Sequence, residues 1–450
     1  MSLHALPGFR DFYPAELAVR AHITDTWRRV VRRYGFVEYD GPPLEPLELY
    51  TQKSGDEIVG QLYNFVDKGG RAVALRPEMT PTFARMVAAR AQALRKPVRW
   101  FAVPQLFRYE RQQKGRLREH FQLNVDVVGE PDVLADAELL TVAIEICRAL
   151  GLTREDFYAR VSDRRLLNAL LGHLEVAEAA WPAVYAVLDK LERQPAAVSR
   201  EKLQLAGLGH SACEAVLGFA AFDSVEALRA EFGGAPGVVP HLDRFAEYSG
   251  YLGALGVGEF LRLDLTIVRG LAYYTGIVFE LFDARGEFRA ICGGGRYDQL
   301  LQALGGVDLP ALGFGMGDVV LGELLAARGK LATVAEPGVD LWLVPAEDTA
   351  IDHLLSVAAC LRAAEVSVEY LLAGDRLRHR KAGAQLKDAQ RAGARRALVF
   401  RGSDLAELVP LGREQAHGER LLFHTADWRG DRSPVETRQV IAPLLTALGR

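Results

Sequence analysis

The 450-residue chain has no apolar run approaching the roughly 18 residues needed to cross a bilayer as a helix. Its N-terminus, MSLHALPGFRDF, lacks the basic-then-apolar layout of a secretory signal, so the expected compartment is the cytoplasm and no membrane partner is expected. Only four cysteines occur, Cys147, Cys213, Cys292 and Cys360, and no two are close in sequence. That spacing disfavours a zinc knuckle and a disulfide framework, leaving them as expected core thiols, and no self-contained metal site is expected. A formal net charge of -4 argues against a protein that coats nucleic acid through bulk charge. Internal repeats and low-complexity tracts are also missing. What is present, 49% hydrophobic and 25% charged residues, is the composition of a globular protein, and the length calls for two or three domains.

Residues 14–34 read as a helix that opens on Pro14, carries Ile23, Trp27, Val30 and Val31 at helical spacing, and stops at Gly35. A short strand, FVEY, follows; YNFVD and AVALR then flank the turn KGG as a hairpin. In RPEMTPTFARMVAAR a helix begins, with Thr80 as its expected N-cap and Pro81 at its first position. Two strand-like runs, WFAVPQLFRYE and HFQLNVDVV, are joined by a basic loop. Residues 133–260 read as mainly helical, including a helical module inserted at about 165–255. FLRLDLTIVRG and YYTGIVFELFD return to strand patterning, and FRAICGGGRYDQLLQALGG leads through glycines into a helix. The segment TVAEPGVD looks like a linker. Beyond it a βαβαβ order predicts a small α/β domain. The expected boundaries are 1–328, a linker at 329–338, and 339–450.

The basic loop lies in LFRYERQQKGRLREHFQLNVD, residues 106–126. Strand alternation puts Gln122, Asn124 and Asp126 on one face and Phe121, Leu123 and Val125 on the other. Gln122 and Asp126 are then about 13 Å apart, far enough to hold opposite ends of a small polar substrate. Arg108 shares a face with Glu110. Arg111, Lys114, Arg116 and Arg118 form a cationic lobe around Gly115 that suits phosphate, because a guanidinium gives two charge-assisted hydrogen bonds to adjacent oxygens. A second basic stretch, DRLRHRKAGAQLKDAQRAGARR, holds Arg376, Arg378, Arg380, Lys381, Lys387, Arg391, Arg395 and Arg396 against Asp375 and Asp388. On one helix these residues would track an RNA backbone.

Taken together, GFRDFYP, LRPEMT, FRYERQQKGRLREHFQLNVD, IVRGLAYYTGIVFE and CGGGRYD resemble the histidyl-tRNA synthetases, a class II aminoacyl-tRNA synthetase family, from about residue 5 to about residue 445. The resemblance implies an α+β fold: a class II antiparallel sheet flanked by helices, with a helical insertion and a C-terminal α/β anticodon-binding domain. It also implies a homodimer built through the N-terminal helix and the strand after it. L-histidine, ATP with Mg2+ and tRNA(His) would be the ligands, and no DNA.

By the family's pattern Arg108 and Arg269 are the expected catalytic cations at the α-phosphate of ATP. Arg116, Arg118, Gly293, Gly294 and Gly295 join Arg108 in holding ATP. Histidine falls to Glu78, Thr80, Gln122, Asp126, Tyr273 and Tyr274, with Glu78 and Gln122 on the α-ammonium and Asp126 and Tyr274 on the imidazole. tRNA falls to Lys114, Arg116, Arg378, Arg380, Lys381 and Lys387.

In the third motif the sequence departs from that pattern. GFGMGDVVLGELL has Val320 where an arginine usually grips the γ-phosphate, which leaves Arg116 or Arg118 as the replacement cation. Ala272 and Gln112 also stand where an aspartate and a proline are common. A second reading stays open: a non-catalytic paralogue resembling the histidine-sensing regulatory subunit of ATP phosphoribosyltransferase, although such subunits generally lack the C-terminal module. A stand-alone RNA-binding protein on the same scaffold is a third.

Overall fold

A computed structural model describes residues 4–51, 60–111, 115–268, 274–331, 334, 338–345, 349–402, 404–411 and 420–449. The chain divides into two compact units, Met1–Val334 and Ala335–Arg450.

The first unit is built on a nine-stranded, mostly antiparallel sheet. Its order runs Val37–Glu38, Val98–Ala102, Glu119–Val128, Ala311–Gly317, Cys292–Arg296, Ile277–Asp283, Phe157–Asp163 and Leu261–Leu263, with Gln105–Phe107 pairing beside Glu119–Val128. Glu119–Val128 is the longest strand, and its odd-numbered apolar residues Leu123, Val125 and Val127 are buried. They pack under helix Pro14–Arg33, whose Ile23, Trp27, Val30 and Val31 join the same core, and under helix Val133–Ala149. The N-terminal helix therefore forms where its 3.6-residue apolar spacing predicts, and Gly35 ends it at φ +75°.

A small sheet of Leu44–Pro46, Ala72–Leu75 and Asn64–Val66 contains the expected hairpin. Asp67 closes its turn by accepting from the backbone N–H groups of Gly69 and Arg71. At Val103–Pro104 the run WFAVPQLFRYE splits into two strands, and the carbonyl of Pro104 takes the N–H of Gln122.

Several local expectations need correction. Phe157–Asp163 is a strand inside the stretch read as helical; Phe157, Ala159 and Val161 alternate inward, and the strand pairs with Ile277–Asp283 across seven residues. Gly293, Gly294 and Gly295 lie within a strand, not in a turn before a helix. The helix expected from Thr80 has Met79 as its N-cap, in helical conformation and without a side-chain cap bond, so Thr80 is the first helical residue. Helices from Arg164–His173 to Val239–Ala254 form the helical module.

The second unit has a five-stranded sheet in the order Val368–Glu369, Leu341–Val344, Arg396–Phe400, Leu405–Pro410, Leu421–His424. Its first three strands are the expected parallel ones; the last two pair antiparallel and carry no signal used above. The basic stretch is not one helix. It breaks into Gly374–His379 and Ala382–Arg391 at Lys381, whose ψ of 139° is not helical, and there the Arg380 carbonyl takes the side-chain amide of Gln385 at 2.8 Å.

Candidate active site

Three neighbouring strands of the large sheet build one cleft. On Glu119–Val128 the residues Gln122, Asn124 and Asp126 face up, and they pair in register with Gly317, Gly315 and Gly313 of Ala311–Gly317. Gly313 and Gly315 make room for the polar side chains beside them. A Cβ at Gly313 would lie 2.3 Å from Asp126 Oδ1, and one at Gly315 would lie 2.5 Å from Gln122 Nε2. The next strand, Cys292–Arg296, adds Gly293 to the floor. At Gly294 a Cβ would press Phe314 Cβ at 2.5 Å, and at Gly295 it would meet the Ile277 carbonyl at 2.5 Å. These two glycines serve strand packing, and neither lines the cleft.

The cleft has two lobes of about 200 and 210 Å³ that share Arg108, Gln122, Gly293 and Gly315. Arg108, Glu110, Arg116, His120, Val319 and Val320 line the first, cationic lobe. Arg108 is aimed by its Nε, which donates to the Pro77 carbonyl of the LRPEMT segment at 2.9 Å. Arg76 of the same segment holds that corner together by donating to the carbonyls of Gly41 (2.7 Å) and Gln105 (3.0 Å). Glu110 is buried between the two arginines; it pairs with Arg116 and lies 3.9 Å from Arg108. His120 is pushed down to a pKa of about 3, first by burial and then by the Arg108 guanidinium, so its ring is neutral at ordinary pH.

Val320, at the position of the missing third-motif arginine, is met by the loop: a Cβ on Gly115 would sit 3.2 Å from Val320 Cγ2. Gly115 makes this approach at φ +73°, which delivers Arg116 to the lobe. Arg118 goes elsewhere. Its Nε donates to the Glu110 carbonyl at 3.3 Å, its Nη1 to the Pro7 carbonyl at 3.4 Å, and its guanidinium lies over Tyr109. Of the two loop cations expected near that position, the fold brings Arg116 to the lobe and turns Arg118 away. Asp318 is a structural partner, accepting the Phe121 N–H at 2.9 Å and pairing with Arg10 at 3.0 Å.

The second lobe is lined by Glu78, Thr80, Gln122, Asn124, Asp126, Tyr274 and Tyr297. Asp126 is 3% exposed, and burial raises its pKa to about 7 against the opposing hydrogen bond from Tyr297. The Tyr297 hydroxyl donates to Oδ1, while Oδ2 is buried with no hydrogen-bond partner among the described residues. Such an acceptor suits a ligand that brings its own N–H. Gln122 Nε2 donates to Asn124 Oδ1 at 3.0 Å, which fixes the amide between the lobes. Arg269 and Tyr273, assigned to catalysis and to histidine, and Lys114, assigned to tRNA, lie outside the described residues.

Sequence reasoning missed Glu110, His120, Asn124 and Tyr297 as site residues. Tyr297 had a signal: counting by twos along the strand from Gly293 passes through Gly295 to Tyr297. The other charged members of GGGRYD are structural. Arg296 is 1% exposed and pairs with Asp136 at 2.5 Å, and Asp298 pairs with Arg165 at 2.9 Å.

In the second unit Arg380 pairs with Asp388 at 2.7 Å, Arg395 with Asp340 at 3.4 Å, and Arg396 donates to the Ala447 carbonyl at 2.6 Å. Lys381 and Lys387 are exposed; the Arg378 side chain lies outside what is described.

Residues 8–317 match the family described as Histidyl-tRNA synthetase. Among curated relatives, Histidine--tRNA ligase of Opitutus terrae is 44% identical over 91% of this chain and 93% of its own. The chloroplastic/mitochondrial Histidine--tRNA ligase of Arabidopsis thaliana is 42% identical over 73% and 67%. A histidyl-tRNA synthetase crystal structure from a Nostoc species superposes with a TM-score of 0.79 at 24% identity, covering 98% of this chain and 99% of that one, and so shares the fold.

Proposed function

The chain belongs to the histidyl-tRNA synthetase family and is a histidine–tRNA ligase, and from that premise we propose how its residues divide the reaction. Histidine binds in the carboxylate-lined lobe and the ATP phosphates in the cationic one, with Arg108 between them. The histidine carboxylate attacks the α-phosphorus, the bond to the β-phosphate breaks, and histidyl-adenylate and pyrophosphate result. The terminal ribose hydroxyl of tRNA(His) then attacks the adenylate carbonyl and releases AMP. A carboxylate nucleophile is already ionised at pH 7, so the first step asks the protein for alignment and charge stabilisation rather than for a base.

Arg108 and Arg269 flank the α-phosphate in this reading, and Arg116 takes the outer phosphates in place of the missing third-motif arginine. Gly293 lets the nucleotide approach the strand backbone. Glu78 and Gln122 take the α-ammonium of histidine; Asp126, steadied by Tyr297, and Tyr274 take the imidazole, with Thr80 and Tyr273 completing the histidine site. The buried, half-paired carboxylate of Asp126 is the observation that carries the assignment, because an amino acid without that N–H leaves the charge uncompensated.

Among the described residues no group of three His, Cys, Asp or Glu side chains could hold a metal ion. Mg2+ is proposed to enter with ATP, whose phosphates would supply most of its ligands. Residues 1–328 would be the catalytic domain and 339–450 the anticodon-binding domain. Arg116 and Lys114 on the loop, and Arg378, Arg380, Lys381 and Lys387, would face tRNA. A homodimer would cover Val37, Leu44, Phe65 and Val66, which are exposed on strands that follow the N-terminal helix. The cytoplasm is the proposed compartment. The regulatory-paralogue reading is not favoured, since curated relatives named as ligases match along more than nine-tenths of the chain.

Histidine-dependent ATP–pyrophosphate exchange followed by tRNA(His) charging tests the assignment. Deleting residues 339–450 should raise the KM for tRNA and spare exchange; unchanged charging by the truncated chain would remove the anticodon-binding role.

A further inference from the structure

Asn124 lines the amino-acid lobe but has no part in the roles above. Its backbone sits in the middle of the large sheet, opposite Ala102 on one neighbouring strand and Gly315 on the other. The residue is 5% exposed, and burying an amide costs free energy unless it makes hydrogen bonds. Neither Ala102 nor Gly315 has a polar side chain to offer. The bond it makes is to Gln122, two residues back on the same face, whose Nε2 donates to Asn124 Oδ1 at 3.0 Å.

That bond has a direction. A glutamine amide carries a donor end and an acceptor end of almost the same shape, and its last torsion is roughly two-fold, so an untethered side chain presents either end to a ligand. In the cleft the two ends are distinguished. A Cβ on Gly315 would lie 2.5 Å from Gln122 Nε2 and 3.6 Å from Oε1, so the nitrogen is the end turned toward the Gly315 strand and the oxygen is turned away from it. Arg108 lines both lobes, as Gln122 does, and a guanidinium offers donors only; it opposes an amide nitrogen facing the same space and favours the oxygen. An amide oxygen has two lone pairs, so the hydrogen bond between Gln122 and His120 on its other side leaves one for a ligand. An acceptor held in this way suits a primary ammonium and has nothing to give a carboxylate.

We infer that Asn124 is a positioning residue: it holds the Gln122 amide with its oxygen toward the α-ammonium of histidine, and so sets the lobe's preference for the amino acid over the same ring and carboxylate without that ammonium. This rests on the role given to Gln122 above. The test is calorimetry on the full-length chain with three probes. They are histidine; histidinol, which keeps the ammonium and lacks the carboxylate; and 3-(imidazol-4-yl)propanoate, which keeps the carboxylate and lacks the ammonium. The variants are Asn124→Leu, which keeps the volume and removes the acceptor, Asn124→Asp, which keeps the acceptor, and Gln122→Ala, with melting curves alongside. Asn124→Leu should weaken histidine and histidinol about five- to tenfold and the propanoate less than about twofold. Asn124→Asp should keep at least the parent's preference for histidine over the propanoate. Gln122→Ala should weaken the two ammonium ligands by about tenfold or more, and adding Asn124→Leu to it should cost less than about twofold further, because the amide it orients is gone. Equal losses for all three probes in Asn124→Leu would mean a structural role, and a full further loss in the Gln122→Ala background would mean that Asn124 touches the ligand itself; either result overturns the inference. A damaging Gln122→Ala beside a silent Asn124→Leu removes the inference alone, whereas a silent Gln122→Ala removes the role of Gln122 and the inference with it.

Discussion

In the phosphate lobe Glu110 lies between Arg108 and Arg116, so the cations there have a carboxylate partner before any ligand arrives. In the amino-acid lobe Asp126 has one oxygen held by Tyr297 and the other buried without a partner among the described residues. A ligand entering the first lobe meets cations that already have a buried carboxylate partner. The second stays unsatisfied until a donor of the right shape enters. In the proposed assignment, strictness toward the amino acid follows from a carboxylate left half-paired until its ligand arrives.

The largest expected effects separate the lobes directly. Arg108→Ala should lower adenylate formation by 100-fold or more, about 3 kcal/mol, with a small change in histidine affinity. Asp126→Ala should do the reverse, weakening histidine binding by about 100-fold and ATP binding little. Calorimetry showing equal losses for both ligands in both variants would erase the distinction.

Next in size is a stability effect with a defined sign. Burial raises the Asp126 pKa to about 7, above the unfolded value of about 4. Between those values the folded chain binds more protons than the unfolded one, so stability falls as pH rises from about 4 to 7 and stays lower above it. Asp126→Asn should therefore melt higher than the parent at pH 8, by on the order of 2 kcal/mol, and the gap should close toward pH 5. An equal gap at both pH values would show that the carboxylate carries no burial cost.

Tyr297→Phe, which removes one hydrogen bond to that carboxylate, should weaken histidine binding about five- to tenfold, roughly 1 kcal/mol. The smallest contrast lies on the loop. Arg116→Ala should raise the KM for ATP about tenfold, and Arg118→Ala should change it less than twofold. Matching effects at both positions would mean that the loop rearranges when nucleotide binds.

Much of the site could be read from period-two patterning. The alternation in HFQLNVDVV placed Gln122, Asn124 and Asp126 on one face, and the structure lines a single lobe with all three. Arg108 was legible in the same way. By contrast, Arg118 and Arg116 share the alternation of a short loop and carry the same charge; what separates them is the approach of Gly115 to Val320 and the packing of Arg118 against Tyr109 and Pro7. Phe157–Asp163 was lost in a helical background because a seven-residue strand between long helices gives a weak local signal. The basic stretch of the second unit read as one helix because charge counting ignores where carbonyls find donors, and Gln385 supplies one at the break.

Local chemistry, then, was enough to set the helix at Pro14–Arg33, the hairpin around Asp67 and the polar face of Glu119–Val128, since each depends on backbone periodicity or a turn of a few residues. The tertiary fold decided which distant groups meet. Tyr297 reaches Asp126, 171 residues away, and glycines at 313 and 315 stand beside the side chains that need their space, only because strand register aligns segments distant in sequence. That register is set by packing across the whole sheet, and no window of neighbouring residues contains it.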